Sequence, residues 1–311
     1  MLNDIHCHFF STAFFASLGR ALPGAAAADA AAPHEIALER LGWDAPGSAE
    51  ALADRWIAEL DRSGVSRAAL MASVPGDADS VVAAVRRHPE RLVGFFMVDP
   101  ADPRASTNTE QAVAGGLRGI CLFPAMHRYS MHDERVVRLF EIAVAHPGTV
   151  VFVHCGVLSI GVRRKLGLAS PFDMRYGNPL DLHAIAAAYP GVPVIVPHFG
   201  AGLFREALML ADLCANVVLD TSSSNGWMKY HAGGLSLGVV FRQALSVVGP
   251  DRLLFGSDSS FFPRGWVKEV YDQQAAALHE IEADEATRHK VFAGNFDRLF
   301  PVGPESRPIQ P

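Results

Sequence analysis

The stretch Asp4-Ile5-His6-Cys7-His8-Phe9-Phe10, DIHCHFF, sets two histidines one residue apart inside an apolar run. In an extended strand residues i and i+2 share a face, so His6 and His8 would point one way while Cys7 turns toward the other. Seven more short apolar, β-branched runs bounded by turn residues follow: RAALMASV from Arg67, RLVGFFMVD from Arg91, GLRGICLFP from Gly116, TVVFVHCG from Thr149, VPVIVPHFG from Val192, NVVLDTS from Asn216 and RLLFGSDSS from Arg252. Between them apolar residues fall at helical spacing, as with Leu52, Trp56, Ile57 and Leu60 before the second run, or Val136, Val137, Phe140 and Val144 before the fifth. Eight strands alternating with helices predict an α/β fold with a parallel sheet that closes as a (β/α)8 TIM barrel. The competing open, doubly wound sheet would carry a glycine-rich phosphate loop after its first strand, and HCHFFST is not one.

No repeat or linker divides the 311 residues, so residues 1–311 read as one barrel domain with two long excursions, at about 11–49 after strand one and 156–178 after strand five. Both leave the end of the barrel where active sites form, and their length suggests a lid or substrate collar. The alanine-rich part, 21–32, reads as a flexible or locally helical loop. The segment ATRHKVFAGNFDRLF reads as a last helix packed on the barrel's outside, followed by a mobile tail.

Charge and cysteine usage narrow the partners. A net charge of −6, with 27 Lys plus Arg against 33 Asp plus Glu and no long basic run, argues against nucleic acid. Cys7, Cys121, Cys155 and Cys214 are scattered, with no Cys-x-x-Cys pair, which fits reduced thiols in a cytoplasmic protein. The apolar run after His8 imitates a leader peptide, but no Lys or Arg precedes it and histidines stand at its start. No window reaches the roughly 18 apolar residues of a membrane span.

The polar, metal-capable residues fall at strand ends. His6 and His8 lie toward the end of strand one, His154 ends strand five, His198 strand six and Asp258 strand eight. Imidazoles and carboxylates ligate Zn2+ and related ions, and three or four of them with an open position describe a catalytic site. Alone, each strand-end histidine is better explained as a hydrogen-bonded structural residue. Five such residues at one barrel mouth are not explained by packing.

On DIHCH, VFVHCG, VPHFGAG, LLFGSDSSFF and the closing VFAGNFDRLF, the chain resembles the amidohydrolase superfamily, in its amidohydrolase-2 branch that contains aminocarboxymuconate-semialdehyde decarboxylase. The resemblance covers nearly the whole sequence. It implies a metal-dependent TIM-barrel enzyme in which His6, His8, His154 and Asp258 hold one divalent ion, Zn2+ ahead of Mn2+, with His198 and Asp258 as catalytic residues. Binuclear members often use a carboxylated lysine at strand four, but GLRGICLFP has no lysine and offers only Cys121, so a mononuclear site is expected.

A divalent ion lowers the pKa of a bound water to around 7 in favourable zinc sites, making a nucleophile available at neutral pH. Arg163 and Arg164, followed by Lys165, lie on the strand-five excursion and could bind a carboxylate. Trp227, Tyr230, Phe261, Phe262, Arg264 and Trp266 follow strands seven and eight; Trp227 and Arg264 complete the expected substrate-binding set. Asp220, ending strand seven, could orient a ligand histidine. These features suggest a hydrolase for a small, anionic, carboxylate-bearing ester, lactone or amide; the alternative is a non-oxidative decarboxylase of a small unsaturated or aromatic acid. A homodimer is implied by the resemblance, with no self-pairing pattern in the sequence.

Overall fold

A computed structural model describes residues 1–23, 32–223 and 225–302. Most of the alanine-rich loop and the tail from 303 lie outside the described residues. Eight parallel strands run in sequence order: β1 (Asn3–Phe9), β2 (Arg67–Ala72), β3 (Leu92–Val98), β4 (Gly119–Leu122), β5 (Val150–Val153), β6 (Val194–Val196), β7 (Val217–Asp220) and β8 (Leu253–Leu254). The ring closes where β1 meets the segment after β8: Ile5 N–H donates to Phe255 O (3.0 Å), Asp258 N–H to His6 O (2.9 Å) and His8 N–H to Ser259 O (2.7 Å). This is the expected (β/α)8 barrel.

Period two in the strands sorts their side chains into two cores. Ala69 and Met71, Val93 and Phe95, Val150 and Phe152, Ile195, Val218 and Leu254 point into the barrel, while Leu70, Phe96, Ile120, Val151, Val194 and Leu219 pack under the helices. Gly119 makes room for this filling, because a Cβ there would sit 2.2 Å from the Phe95 ring.

The helices follow their apolar spacing. The helix Ala49–Ser63 is capped by Ser48, whose Oγ accepts from Ala51 N–H (3.2 Å), and stops at Gly64 in the left-handed region; Leu52, Trp56 and Leu60 are buried and Ile57 half-buried. In the helix Glu134–Ala145 the buried face is Val136, Leu139, Phe140 and Ala143, and Val144 is exposed rather than packed. The C-terminal segment also differs from expectation. Val291 and Phe292 pack outside, but Phe296 and Phe300 enter the interior cluster and plug the end where the strands begin, tied there by Arg67, whose Nη1 donates to Phe300 O (2.7 Å).

The described part of the excursion after β1 is largely helical. Helix α1 (Thr12–Arg20) starts at Ser11, whose Oγ accepts from Phe14 N–H (3.3 Å), and α2 (Pro33–Leu41) packs against it. Phe14, Phe15, Leu18 and Leu38 form a small core with Val162 and Leu166 of the strand-five excursion. The two excursions therefore form one cover beside the mouth. Among the described residues no helix is long and apolar enough to cross a membrane.

Candidate metal centre

His6 and His8 project from β1 into the mouth, whereas Cys7 joins the outer core. His6 Nδ1 lies 2.7 Å from Asp220 Oδ2, and His8 Nδ1 lies 2.8 Å from Ser73 Oγ. A carboxylate only accepts, so His6 carries its proton on Nδ1; the Ser73 hydroxyl already donates to Met71 O (3.0 Å), so it accepts from His8 Nδ1. In the neutral imidazoles both Nε2 atoms are then left with lone pairs.

Those lone pairs meet a carboxylate. Asp258 Oδ1 lies 3.2 Å from His8 Nε2 and 3.7 Å from His6 Nε2. His6, His8 and Asp258 each bring one ligand atom to within 4.8 Å of the others, a group able to hold a metal ion. Three ligand atoms drawn together in this way suit a cation, either a proton between His8 Nε2 and Asp258 Oδ1 or a metal ion among all three. Burial by itself would raise the Asp258 carboxyl, but the His8 hydrogen bond and the neighbouring His6 and His198 hold it well below the usual carboxylate range.

His154 and His198 complete the imidazole cluster without belonging to that close trio. The His198 ring lies 5.0 Å from the His6 ring and 5.2 Å from that of His154. His198 Nδ1 donates to Ser222 Oγ (2.8 Å), whose own hydroxyl donates to Asp220 Oδ2 (2.9 Å), leaving His198 Nε2 free to accept. Burial pushes both His154 and His198 below the ordinary imidazole pKa; neighbouring histidines add to this at His154, whereas Asp258 and Asp220 oppose it at His198. His154 Nδ1 is buried with no hydrogen-bond partner, the condition of an atom awaiting a ligand. The donor set fits one divalent ion.

Backbone strain marks the same place. His198 (φ 57°), Phe199 (φ 52°) and Asp258 (φ 59°) are non-glycine residues in the left-handed region, a conformation costing of order 1–3 kcal/mol each and found where a site requires it. Gly256, by contrast, is needed for close approach, since a Cβ there would stand 2.7 Å from Asp220 Oδ1 and 2.9 Å from His6 Cβ.

Above these residues opens a cavity of about 720 Å3. Trp227 and Arg264 line it, as does Lys165; Arg163 and Arg164 do not. The guanidinium of Arg163 is turned back onto Ala169 O (3.0 and 2.7 Å). Successive residues of the short helix Gly161–Lys165 point about 100° apart, so one residue of a basic triplet takes the inward direction. Lys165 Nζ lies over the Trp43 ring (5.6 Å), Trp43 stacks on Phe261 (3.9 Å), and Arg264 lies over Phe261 (5.8 Å), joining the excursions after β1, β5 and β8. Lys229, also lining the cavity, lies over Tyr230 (5.1 Å).

Cys121 is a buried thiol of the barrel interior, its pKa pushed well up by burial, and it does not line the cavity. Ser73 and Ser222 escaped the sequence reading. Each follows its strand by one or two residues, but nothing local links either to a histidine.

A family model described as amidohydrolase matches residues 4–302. The chain belongs to the amidohydrolase family. Its fold recurs in solved structures of that kind. A probable 2-pyrone-4,6-dicarboxylic acid hydrolase from Acinetobacter baumannii, solved with citric acid bound, is 15% identical over 97% of this chain and 99% of that one, with a TM-score of 0.60. An amidohydrolase from Burkholderia multivorans with bound zinc is 15% identical over 97% and 100%, with a TM-score of 0.62. The 5-carboxyvanillate decarboxylase of Novosphingobium aromaticivorans, with bound manganese and a nitrobenzoic acid, is 18% identical over 96% of each chain, with a TM-score of 0.61. Hydrolase and decarboxylase thus share the architecture of this amidohydrolase. No curated protein matches it in sequence.

Proposed function

We propose that this amidohydrolase binds one divalent ion, Zn2+ ahead of Mn2+, through His6, His8, His154 and Asp258, and hydrolyses a small carboxylate-bearing ester, lactone or amide. The observation that carries the reading is the convergence of the His6 and His8 Nε2 atoms on the Asp258 carboxylate. When bound, the ion supplies Lewis acidity that acidifies a water and polarises a substrate carbonyl. Asp258, held ionised by its imidazole neighbours and open to the cavity on one side, takes the proton of the attacking water. His198 accepts a hydrogen bond from that water at Nε2, its ring fixed by Ser222. Asp220 holds His6 in the tautomer that leaves Nε2 unprotonated.

Charge at the rim supports an anionic substrate. Lys165, Lys229 and Arg264 line the cavity, and among the described residues none forms an ion pair; each rests over an aromatic ring instead. The four cysteines are free and buried, in keeping with a reducing, cytoplasmic setting.

Non-oxidative decarboxylation of a small unsaturated or aromatic acid is the second reading, favoured by the flat aromatic lining of Phe10, Phe14, Trp43, Phe123 and Phe261. One assay separates the two: carbon dioxide release measured beside hydrolysis on a panel of small acids bearing lactone, ester or amide bonds. Hydrolysis without carbon dioxide supports the first reading, carbon dioxide release the second, and full activity in metal-free protein overturns both.

A further inference from the structure

Strict alternation along β1 would place Asp4 on the same face as His6 and His8. It does not stand there. The register of β1 against β2 pairs Asp4 with Ala68 and Cys7 with Leu70, so β1 holds one residue more than its partner over that interval. Ile5 lies in the barrel interior and His6, the next residue, also turns into the mouth, while Cys7 and Phe9 pack outside. This bulge lets Ile5 fill the barrel while both histidines reach the site, and it moves Asp4 to the outer side beneath Trp266.

A bulge leaves backbone groups outside the ladder. Here His6 N–H donates to Asp4 Oδ1 (2.9 Å), and Ser257 N–H donates to the same oxygen (3.1 Å). The other oxygen accepts from Ser257 Oγ (2.5 Å) and Trp266 Nε1 (2.7 Å). Both amides belong to the site's framework, one to the ligand candidate His6 and the other to the residue preceding Asp258. Asp258 in turn donates its amide to His6 O (2.9 Å) and adopts a left-handed conformation that something must hold.

Asp4 is completely buried and, among the described residues, has no ion-pair partner. A buried carboxylate without a cation costs stability even when hydrogen-bonded. Its place is understandable if it sets geometry.

We infer that Asp4 is a positioning residue, whose carboxylate clamps the β1 bulge to the turn before Asp258 and so fixes the spacing at which His6, His8 and Asp258 share one ion. This rests on the metal-site reading above, and the test keeps the two apart. Zinc affinity is measured by competition with a chromophoric chelator on metal-free full-length protein, together with the visible spectrum after loading with cobalt and the thermal midpoint of the metal-free form. Asp4→Asn keeps the size but replaces an acceptor with a donor that faces Trp266 Nε1–H. It should weaken zinc binding by about ten-fold or more and alter the cobalt band, as expected when support behind a ligand is lost. Asp77→Asn, which alters a different buried carboxylate, bonded to Ser11, should leave zinc affinity within a factor of about two and the cobalt band unchanged, because its partner is not one of the ligand candidates.

Wild-type affinity in Asp4→Asn, or an equal loss in Asp77→Asn, overturns the inference. Wild-type protein that binds no divalent ion overturns the metal-site reading along with it. If Asp4→Asn does not fold, Ser257→Ala and Trp266→Phe each remove one donor to Asp4 Oδ2. Each should then weaken zinc binding by about two- to five-fold, a partial form of the ten-fold loss, and unchanged affinity in both overturns the clamp.

Discussion

At the end of the barrel where the strands begin, Ile5, Phe95, Val150, Phe152, Val218 and Leu254 meet Phe296 and Phe300 in an apolar plug. At the other end of the same inward faces stand His8 on β1, His154 beyond β5 and Asp220 on β7. Apart from Ile5 in the β1 bulge, the strand residues of the plug keep regular pairing, and most of their partners are apolar. The mouth holds left-handed residues, an unpartnered imidazole nitrogen and clustered ligand atoms. The floor thus stabilises the fold through packing, whereas the mouth keeps arrangements that a fold selected for stability alone would discard.

That contrast predicts opposite responses to substitution. Asp258→Asn should lower turnover by about 10²- to 10⁴-fold, the scale of a lost general base, while the metal-free fold survives. Steady-state kinetics beside a melting curve checks both halves. Activity within a few-fold of wild type would remove Asp258 from the mechanism.

Phe300→Ala probes the other end. It should destabilise the metal-free fold by about 3–5 kcal/mol, as large-to-small changes in packed cores do, because Phe300 touches Phe95 and Phe296 and little water reaches it. Zinc affinity should stay as in the wild type. Urea unfolding and a metal titration on the same sample decide it, and a loss of affinity would show that the ends are coupled.

How the site was legible follows from the same division. The barrel and its histidines could be read because period two and β–α alternation are local signals. Asp4 could not be placed, since a bulge reverses the face of every residue before it and nothing in DIHCH announces one. The run RLLFGSDSS reads as a nine-residue strand, yet β8 is Leu253–Leu254, because Gly256 presses on Asp220 and Asp258 leaves extended geometry. Ser73 and Ser222 act on histidines far away in sequence, and such partners emerge only once the chain has closed.

Asp220, read from its strand end, allows a smaller test of the mouth. Asp220→Asn can present an amide N–H to His6 Nδ1 and so invite the tautomer whose Nε2 bears the proton. Metal affinity should drop by about 10- to 100-fold, the usual range for such support. Equilibrium dialysis against zinc measures it, and unchanged affinity would mean that His6 is oriented by packing against Phe152 alone.

The smallest effect lies where the mouth meets its cover. Asp77 accepts from Ser11 Oγ, the hydroxyl that also caps α1, and burial lifts the Asp77 carboxyl above its ordinary value despite the Ser11 and Ser80 hydrogen bonds. The folded protein therefore takes up this proton more readily than the unfolded chain, so the cost of the buried charge is full at neutral pH. It fades as pH falls through the raised folded value toward about 4. Asp77→Asn keeps an acceptor for Ser11 and removes that charge. The variant should melt slightly above the wild type at pH 7, with the gap closing as the medium is acidified, and melting curves across that range test the sign. A gap that widens toward acid would mean that ionised Asp77 stabilises the start of the cover, and that this buried carboxylate belongs with the packing of the floor rather than with the strained chemistry of the mouth.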